Sequence, residues 1–320
     1  MSEVLRARRD ERSIRGARSD PHRVALVIEG GGMRGVVSAG MAAALERLRL
    51  ADSFDLVVGS SAGALNGAGL LAGVASAGPA VYYGPLASRK FINPARLLIG
   101  RPAVDLSYLL AYAASNFAPQ DREGALDLLA PLICVAVDVD TAAPVPFGDL
   151  RTEEHVWRAM MATMRMPLFG GRPVEIDGRR FIDGALAAPI PLATALEAGA
   201  THVLVLQTRP YGVPRTTGSR LAERLIERHL HRVNPVLERM WRERAAAYEV
   251  LVDDIGRRSA SPAAEPPHVL GLRPPVGTPV IGQLERRPAV LAAAATAAEA
   301  LVEEALAGAA AGRRSIRATG

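Results

Sequence analysis

The first patterned segment of the chain is Arg23 to Glu29 (RVALVIE), an aliphatic run without polar alternation that stops at three glycines. Such a run predicts a short strand buried on both faces, feeding a tight turn. From Gly35 to Leu50 the apolar positions Met41, Ala44, Leu45 and Leu48 recur at helical spacing. The unit then repeats, with a strand at Phe54 to Val58, a glycine turn at Gly59 to Gly63 and a helix of small residues from Ala64 to Ala77. Two successive strand, glycine-turn, helix units imply parallel strands joined by right-handed crossovers, and so a layered α/β domain.

Further strands are predicted at Leu132 to Val137 and His202 to Gln207, and helices at Asp105 to Ala114 and Thr152 to Thr163. Val174 to Ile182 reads as a hairpin about Asp177-Gly178. Beyond Arg209, Leu221 to Leu251 carries an apolar stripe of Leu221, Leu225, Ile226, Leu230, Val236, Leu237, Met240 and Trp241 among Arg and Glu. This predicts an amphipathic helical hairpin broken at Asn234-Pro235, which either caps the core or, being basic, lies on a membrane surface. A polar linker at Arg257 to Pro267, a strand at His268 to Leu272 and a helix at Pro288 to Leu306 follow. The expected organisation is a basic, disordered and solvated arm over 1–20, an α/β core over 21–210, a helical extension over 211–310 packed on that core, and a basic tail over 311–320.

Composition changes this picture at the ends. Hydrophobic residues make up 49% of 320, enough for a substantial core. The net charge of +5 is unevenly placed, with Arg6, Arg8, Arg9, Arg12, Arg15 and Arg18 in the first twenty residues and Arg313, Arg314 and Arg317 at the end. These arms are candidates for peripheral contact with an anionic membrane. Aromatics are only 4% and no interleaved basic and aromatic surface is present, which argues against nucleic acid as a partner. The single cysteine, Cys134, lies in an apolar run and allows neither an intramolecular disulfide nor a cysteine metal cluster. The first twenty residues lack the apolar centre of a signal peptide, so a cytoplasmic protein is expected. Leu56 to Ser88 is free of charge and long enough to cross a bilayer, but its glycines, two prolines and Asn66 predict a buried strand and helix instead.

Three stretches carry candidate chemistry. Gly59-Ser60-Ser61-Ala62-Gly63 fits GxSxG between a strand and a helix. In such an elbow the serine occupies a strained turn that exposes its hydroxyl, and flanking side chains at Gly59 and Gly63 would collide with the neighbouring elements. Gly30-Gly31-Gly32-Met33-Arg34-Gly35 follows the first strand. It fits two uses: converging N–H groups for an oxyanion, or a GxGxxG dinucleotide turn built on Gly30, Gly32 and Gly35, with Asp52 and Asp55 at the spacing of a ribose carboxylate. Asp183-Gly184-Ala185 follows the hairpin and is, taken alone, an ordinary turn.

The three motifs, in this order, resemble the patatin-like phospholipases, with their GGGxRG, GxSxG and DG[AG] signatures. The resemblance covers about residues 23 to 208. It implies a three-layer α/β/α sandwich with a mainly parallel central sheet, and a Ser-Asp dyad in which Ser61 is the nucleophile and Asp183 the proton acceptor. It further implies an oxyanion loop formed by Gly30, Gly31, Gly32, Met33, Arg34 and Gly35, with N–H groups of Gly31, Gly32 and Met33 as donors and Arg34 steadying the loop. A lipid ester substrate is implied, and neither metal nor organic cofactor. Where many relatives carry Asp before the glycines, this chain carries Glu29. Two other functions remain open at this stage: a nucleotide-binding oxidoreductase using the glycine loop, and a lipid-binding protein with an idle site. A conventional triad would draw on His202, His229, His231 or His268. Arg165 to Phe169 is a candidate wall for an acyl pocket.

Overall fold

The computed structural model describes residues 1–117, 122–214, 220–261 and 264–307. The tail over 311–320 lies outside the described residues. In chain order the elements are α1 (Ser2–Asp10), β1 (Val24–Ile28), α2 (Gly35–Arg47), β2 (Leu56–Ser60), α3 (Ala62–Leu71), α4 (Gly78–Tyr83), α5 (Leu106–Phe117) and α6 (Arg122–Leu129). Then come β3 (Leu132–Asp138), β4 (Pro144–Phe147), α7 (Glu153–Thr163), β5 (Val174–Ile176), β6 (Arg179–Asp183), α8 (Leu192–Glu197) and β7 (His202–Leu206). The remainder is α9 (Arg220–Val233), α10 (Pro235–Ala260), β8 (His268–Leu272) and α11 (Pro288–Ala307).

Among the described residues, eight strands join one sheet in the order β5-β6-β3-β2-β1-β7-β8, with β4 also on β3. The central five strands, β3, β2, β1, β7 and β8, are parallel, and β4, β5 and β6 are antiparallel. The unalternating apolar runs are explained by burial on both faces. In β1, Val24, Leu26 and Ile28 pack with α2, α3 and α11, whereas Ala25 and Val27 pack with Leu192 and Ala195 of α8 and with Tyr248, Val252 and Ile255 of α10. Helices on both faces of a mainly parallel sheet make the three-layer α/β/α sandwich. Each fully buried aliphatic side chain in these layers contributes about 1.5–3 kcal/mol of transfer free energy.

The register around β3 positions the site. Cys134 and Val135 pair with β4 on one side and with β2 on the other. Ala136 and Val137 keep β4 on the first side but have exchanged β2 for β6. A strand residue has only two edges, so β2 and β6 lie end to end along the same edge of β3. Ser60 is opposite Val135, and Asp183 is opposite Ala136, the next residue.

Both ends of the expected domain organisation require correction. The extension over 211–310 is not an addition to a finished core: β8 pairs with β7 along its whole length, and α11 packs on α2 through Leu291, Ala294, Ala298 and Val302. Within the amphipathic hairpin, Ile226, Leu230 and Leu237 are buried against Val137, Val139 and Ile182, while Leu221, Leu225 and Val236 are exposed. The uncharged stretch from Leu56 to Ser88 becomes β2, α3 and α4 of the interior, and no helix among the described residues is long and apolar enough to cross a membrane.

The first twenty residues are likewise not a solvated arm, because their arginines find carboxylates. Arg8 is 2% exposed and donates to Asp20 (Nη2–Oδ1 2.7 Å), Asp55 (Nη1–Oδ2 2.8 Å) and the carbonyls of Ser53 and His22. Arg18 pairs with Asp55, and Arg15 donates to the Phe54 carbonyl. Leu5 is fully buried beside them. The hydrogen bonds from Arg8 hold the Asp20 carboxyl down at about 2. Its folded pKa lies below its unfolded value, so its contribution is complete above about pH 4 and is lost as pH falls toward 2. Arg8→Ala removes the Arg8 donors of the Ser53 and His22 carbonyls and of Asp20 and Asp55, while Asp55 keeps Arg18 and the Val24 N–H and Asp20 keeps the His22 N–H. It is expected to cost about 1–3 kcal/mol in urea unfolding at pH 7. The variant should also lose less stability than wild type between pH 4 and pH 2, and an equally steep acid limb would refute this account of Asp20.

Candidate active site

Ser61 sits between the end of β2 and the start of α3 with φ +54° and ψ −128°, a conformation L-residues rarely adopt. The strain is held in place by packing. A Cβ on Gly63 would lie 2.2 Å from the Ile28 carbonyl oxygen, so only glycine lets α3 start this close to β1. The Ser61 N–H donates to Thr163 Oγ1 (2.9 Å), and the Thr163 hydroxyl donates to the Val135 carbonyl (2.5 Å). The last residue of α7 thereby ties the elbow to β3.

Across the shared edge of β3, Ser61 Oγ donates to Asp183 Oδ2 at 2.8 Å. The other oxygen, Oδ1, accepts from the Ala185 N–H at 2.8 Å, which fixes the carboxylate plane. Gly184 keeps the chain against β3, where a Cβ would meet the Val135 carbonyl oxygen. Both side chains are nearly buried, at 4% and 5% exposure. A serine hydroxyl bonded to an oriented carboxylate in a dry site is the arrangement needed for proton removal during nucleophilic attack. The histidines considered for a triad are elsewhere. His202 and His268 begin β7 and β8, at the end of the parallel strands opposite Ser61, where His202 also packs against His22. His229 and His231 lie on α9, and His231 Nδ1 contacts Glu238.

The glycine loop follows β1 beside the elbow, and its hydrogen bonds separate its six residues. Gly30 donates to the Pro189 carbonyl, Arg34 to that of Gly31 and Gly35 to those of Gly32 and Met33. The Met33 N–H donates to the Gln283 carbonyl at 3.0 Å. Met33 is therefore not an available oxyanion donor, a correction to the set implied by the motif. Gly31 and Gly32 have no hydrogen bond from their N–H groups among the described residues. Gly32 has φ +58°, and a Cβ there would lie 2.7 Å from the same Gln283 oxygen.

Arg34 and Glu29 anchor this loop from beneath. The Arg34 guanidinium lies under Gly31, donates from Nε to Thr208 Oγ1 (3.1 Å) and pairs with Glu29 (Nη2–Oε1 3.9 Å). Burial, reinforced by the nearby Arg209, lowers its pKa to about 10. Glu29 is fully buried, accepting from the Thr208 N–H (2.6 Å) and the Tyr248 hydroxyl (3.1 Å). Burial and the Glu29 charge raise the Tyr248 pKa. The longer carboxylate at this position thus has its own partner on α10.

Asp52 and Asp55 decide the dinucleotide alternative. Both precede β2, at the opposite end of the sheet from the glycine loop, and Asp55 is held by Arg8, Arg18 and the Val24 N–H. A ribose carboxylate must stand at the carboxyl ends of the strands. These residues cannot serve.

An apolar cavity of about 40 Å³ opens beside Ser61, lined by Gly32, Met33, Leu65, Tyr82, Phe91, Leu109 and Met166 among others. Leu65, Tyr82 and Leu109 also line a second apolar cavity of about 640 Å³ between α3, α5 and α7. Of the stretch Arg165 to Phe169, Met166 lines the first cavity, whereas Leu168 and Phe169 pack with the α9 cluster. Thr163, Tyr248 and Gln283 carry no motif; each reaches the site from a distant segment, so no local sequence signal marks them.

A patatin-like phospholipase family model matches residues 26–196, more than half of the chain. The uncharacterised protein YjjU of Escherichia coli strain K12 is 31% identical over 192 residues, covering 59% of this chain and 53% of YjjU. The chain thus spans about half the length of that relative. Among solved structures, VipD from Legionella pneumophila aligns with a TM-score of 0.40 at 10% identity, over 89% of this chain and 67% of VipD. Human GIVD cytosolic phospholipase A2, in complex with methyl gamma-linolenyl fluorophosphonate, aligns with a TM-score of 0.36 at 13% identity, over 69% and 48% of the two chains. TM-scores this low support neither a site nor a substrate.

Thr163→Val keeps the shape of the side chain but leaves the Ser61 N–H and Val135 carbonyl unpaired. Thermal unfolding should show a loss of about 1–3 kcal/mol, and Thr163→Ser should restore most of it. Equal stability of the valine variant would mean that the threonine does not hold the elbow.

Proposed function

The chain belongs to the patatin-like phospholipase family, and from that membership we propose that it is a lipid acyl hydrolase working through a Ser61–Asp183 dyad. The observation that carries the reading is the 2.8 Å hydrogen bond from Ser61 Oγ to Asp183, between residues 122 positions apart. Asp183 accepts the hydroxyl proton as Ser61 Oγ bonds to the ester carbonyl carbon. The carbonyl oxygen, now an oxyanion, takes the Gly31 and Gly32 N–H groups. Preorganised donors of this kind are worth roughly 3 kcal/mol each in the transition state. Collapse breaks the bond to the leaving alcohol, which receives the proton from Asp183, and leaves an acyl-Ser61 ester. Water then attacks that ester, returning one proton to Asp183, and the acid product departs as Ser61 regains its hydrogen. No step draws on a metal or an organic cofactor. The apolar wall beside Ser61 suits the acyl chain of a phospholipid or a related lipid ester.

The reading is tested with a short-chain nitrophenyl ester and a fluorophosphonate probe. Ser61→Ala and Asp183→Asn should each lower turnover by on the order of 10⁴-fold. Covalent labelling should disappear with Ser61. Near wild-type turnover in either variant would refute the dyad. Full lipid binding without turnover on a broad panel of lipid esters would instead establish a lipid-binding protein with an idle site.

A further inference from the structure

The exposed apolar side chains of this protein are mostly scattered, but three are consecutive. Leu97, Leu98 and Ile99 are 36%, 88% and 69% exposed, in a 3-10 helix (Pro94–Ile99) that has no buried residue. The segment is nonetheless well built. Asn93 caps its start by accepting from the Ala95 N–H, and Gly100 closes it in the left-handed region at φ +68°. Its ends are pinned together by the bridge of Ile92 to Val104 and by the Asn93 N–H bond to the Ala103 carbonyl. An ordered protrusion that holds an apolar tip in solvent has an unfavourable exposure to relieve.

Charge identifies what would relieve it. Arg89, Lys90 and Arg101 are exposed at its base. Arg96 is turned back, donating to the Lys90 carbonyl and lying 3.8 Å from Asp105. Between Asp55 and Asp105 the chain contains no acidic residue. An apolar tip with three exposed cations at its base, and with Asp105 already facing Arg96, matches a bilayer whose headgroups are anionic, with acyl chains below for the tip and phosphates at the level of the arginines. The location fits as well, since Phe91 and Val104, which flank the protrusion, line the cavity beside Ser61.

We propose that the 89–101 segment docks the protein on anionic lipid surfaces, inserting Leu98 and Ile99 while Arg89, Lys90 and Arg101 meet the phosphates. This surface differs from the terminal arms, whose N-terminal arginines are largely engaged with the protein's own carboxylates and carbonyls. It also stands apart from the hydrolase reading, because lipid binding is measurable without turnover.

The test is co-sedimentation of the full chain, carrying Ser61→Ala, with vesicles of phosphatidylcholine with and without phosphatidylglycerol. Binding should require phosphatidylglycerol and weaken as salt is raised. Leu98→Glu with Ile99→Glu should reduce it by roughly tenfold or more, from the loss of two apolar anchors. Replacing Arg89, Lys90 and Arg101 by Gln should reduce it by roughly fivefold per charge. In the otherwise wild-type chain, the Leu98, Ile99 double variant should leave thermal stability and any hydrolysis of a monomeric soluble ester unchanged. Undiminished vesicle binding by the double variant would overturn the proposal. So would a dimer of the wild-type chain, without lipid, that the double variant converts to monomer, since the tip would then be a self-association surface. If vesicle binding follows the prediction but Ser61→Ala does not affect turnover, only the hydrolase reading fails.

Discussion

The site depends on one edge of one strand. β2 runs along β3 until Ser60 faces Val135, and β6 takes over at Ala136 with Asp183. Two chain segments that leave the same edge at consecutive residues must bring their ends together, and those ends are Ser61 and Asp183. The Val135 carbonyl at this junction accepts from the Thr163 hydroxyl and leaves no room for a side chain at position 184. The strained backbone at Ser61 is thus determined from three directions: β2 behind it, α3 in front, and α7 through Thr163.

The glycine loop is held by a different part of the chain. Its Met33 N–H is fixed by Gln283, and Glu29 beneath it is bonded by Tyr248 of α10. Residues after 210 therefore do more than cover a finished core. They complete the sheet through β8 and set the position of the loop whose Gly31 and Gly32 N–H groups are left available. The same tethering explains how Glu29 works in place of a shorter carboxylate. Its extra methylene is accommodated because Thr208, Arg34 and Tyr248 surround the carboxylate in the interior, where an unpaired charge would be costly.

The surroundings of this centre are apolar. Apolar residues from α3, α4 and α5 wall the space beside Ser61, and the protrusion after α4 carries unburied apolar residues away from it. The Ser61–Asp183 pair and the exposed apolar residues thereby lie on separate elements, the first packed into the sandwich and the second on its surface.

The amino-acid sequence by itself determined the local chemistry. Unalternating runs marked the parallel strands because burial on both faces removes polar positions. The elbow at Ser61 and the glycine loop were legible because tight turns between strand and helix require glycine wherever a Cβ would strike backbone. The hairpin before Asp183 was legible from Asp177-Gly178 for a similar reason. What only the tertiary structure decided depends on partners far apart in the chain. The N-terminal arginines look like a solvated arm until Asp20 and Asp55 are brought beside them. Gly31, Gly32 and Met33 look equivalent as N–H donors until the Gln283 carbonyl engages the last of them. Asp183 is an ordinary turn residue in sequence, and it becomes Ser61's partner because β6 continues the edge of β3 where β2 ends. Turn chemistry is encoded within a few residues, whereas hydrogen-bond partnership across the sheet is set by register, which no local pattern contains.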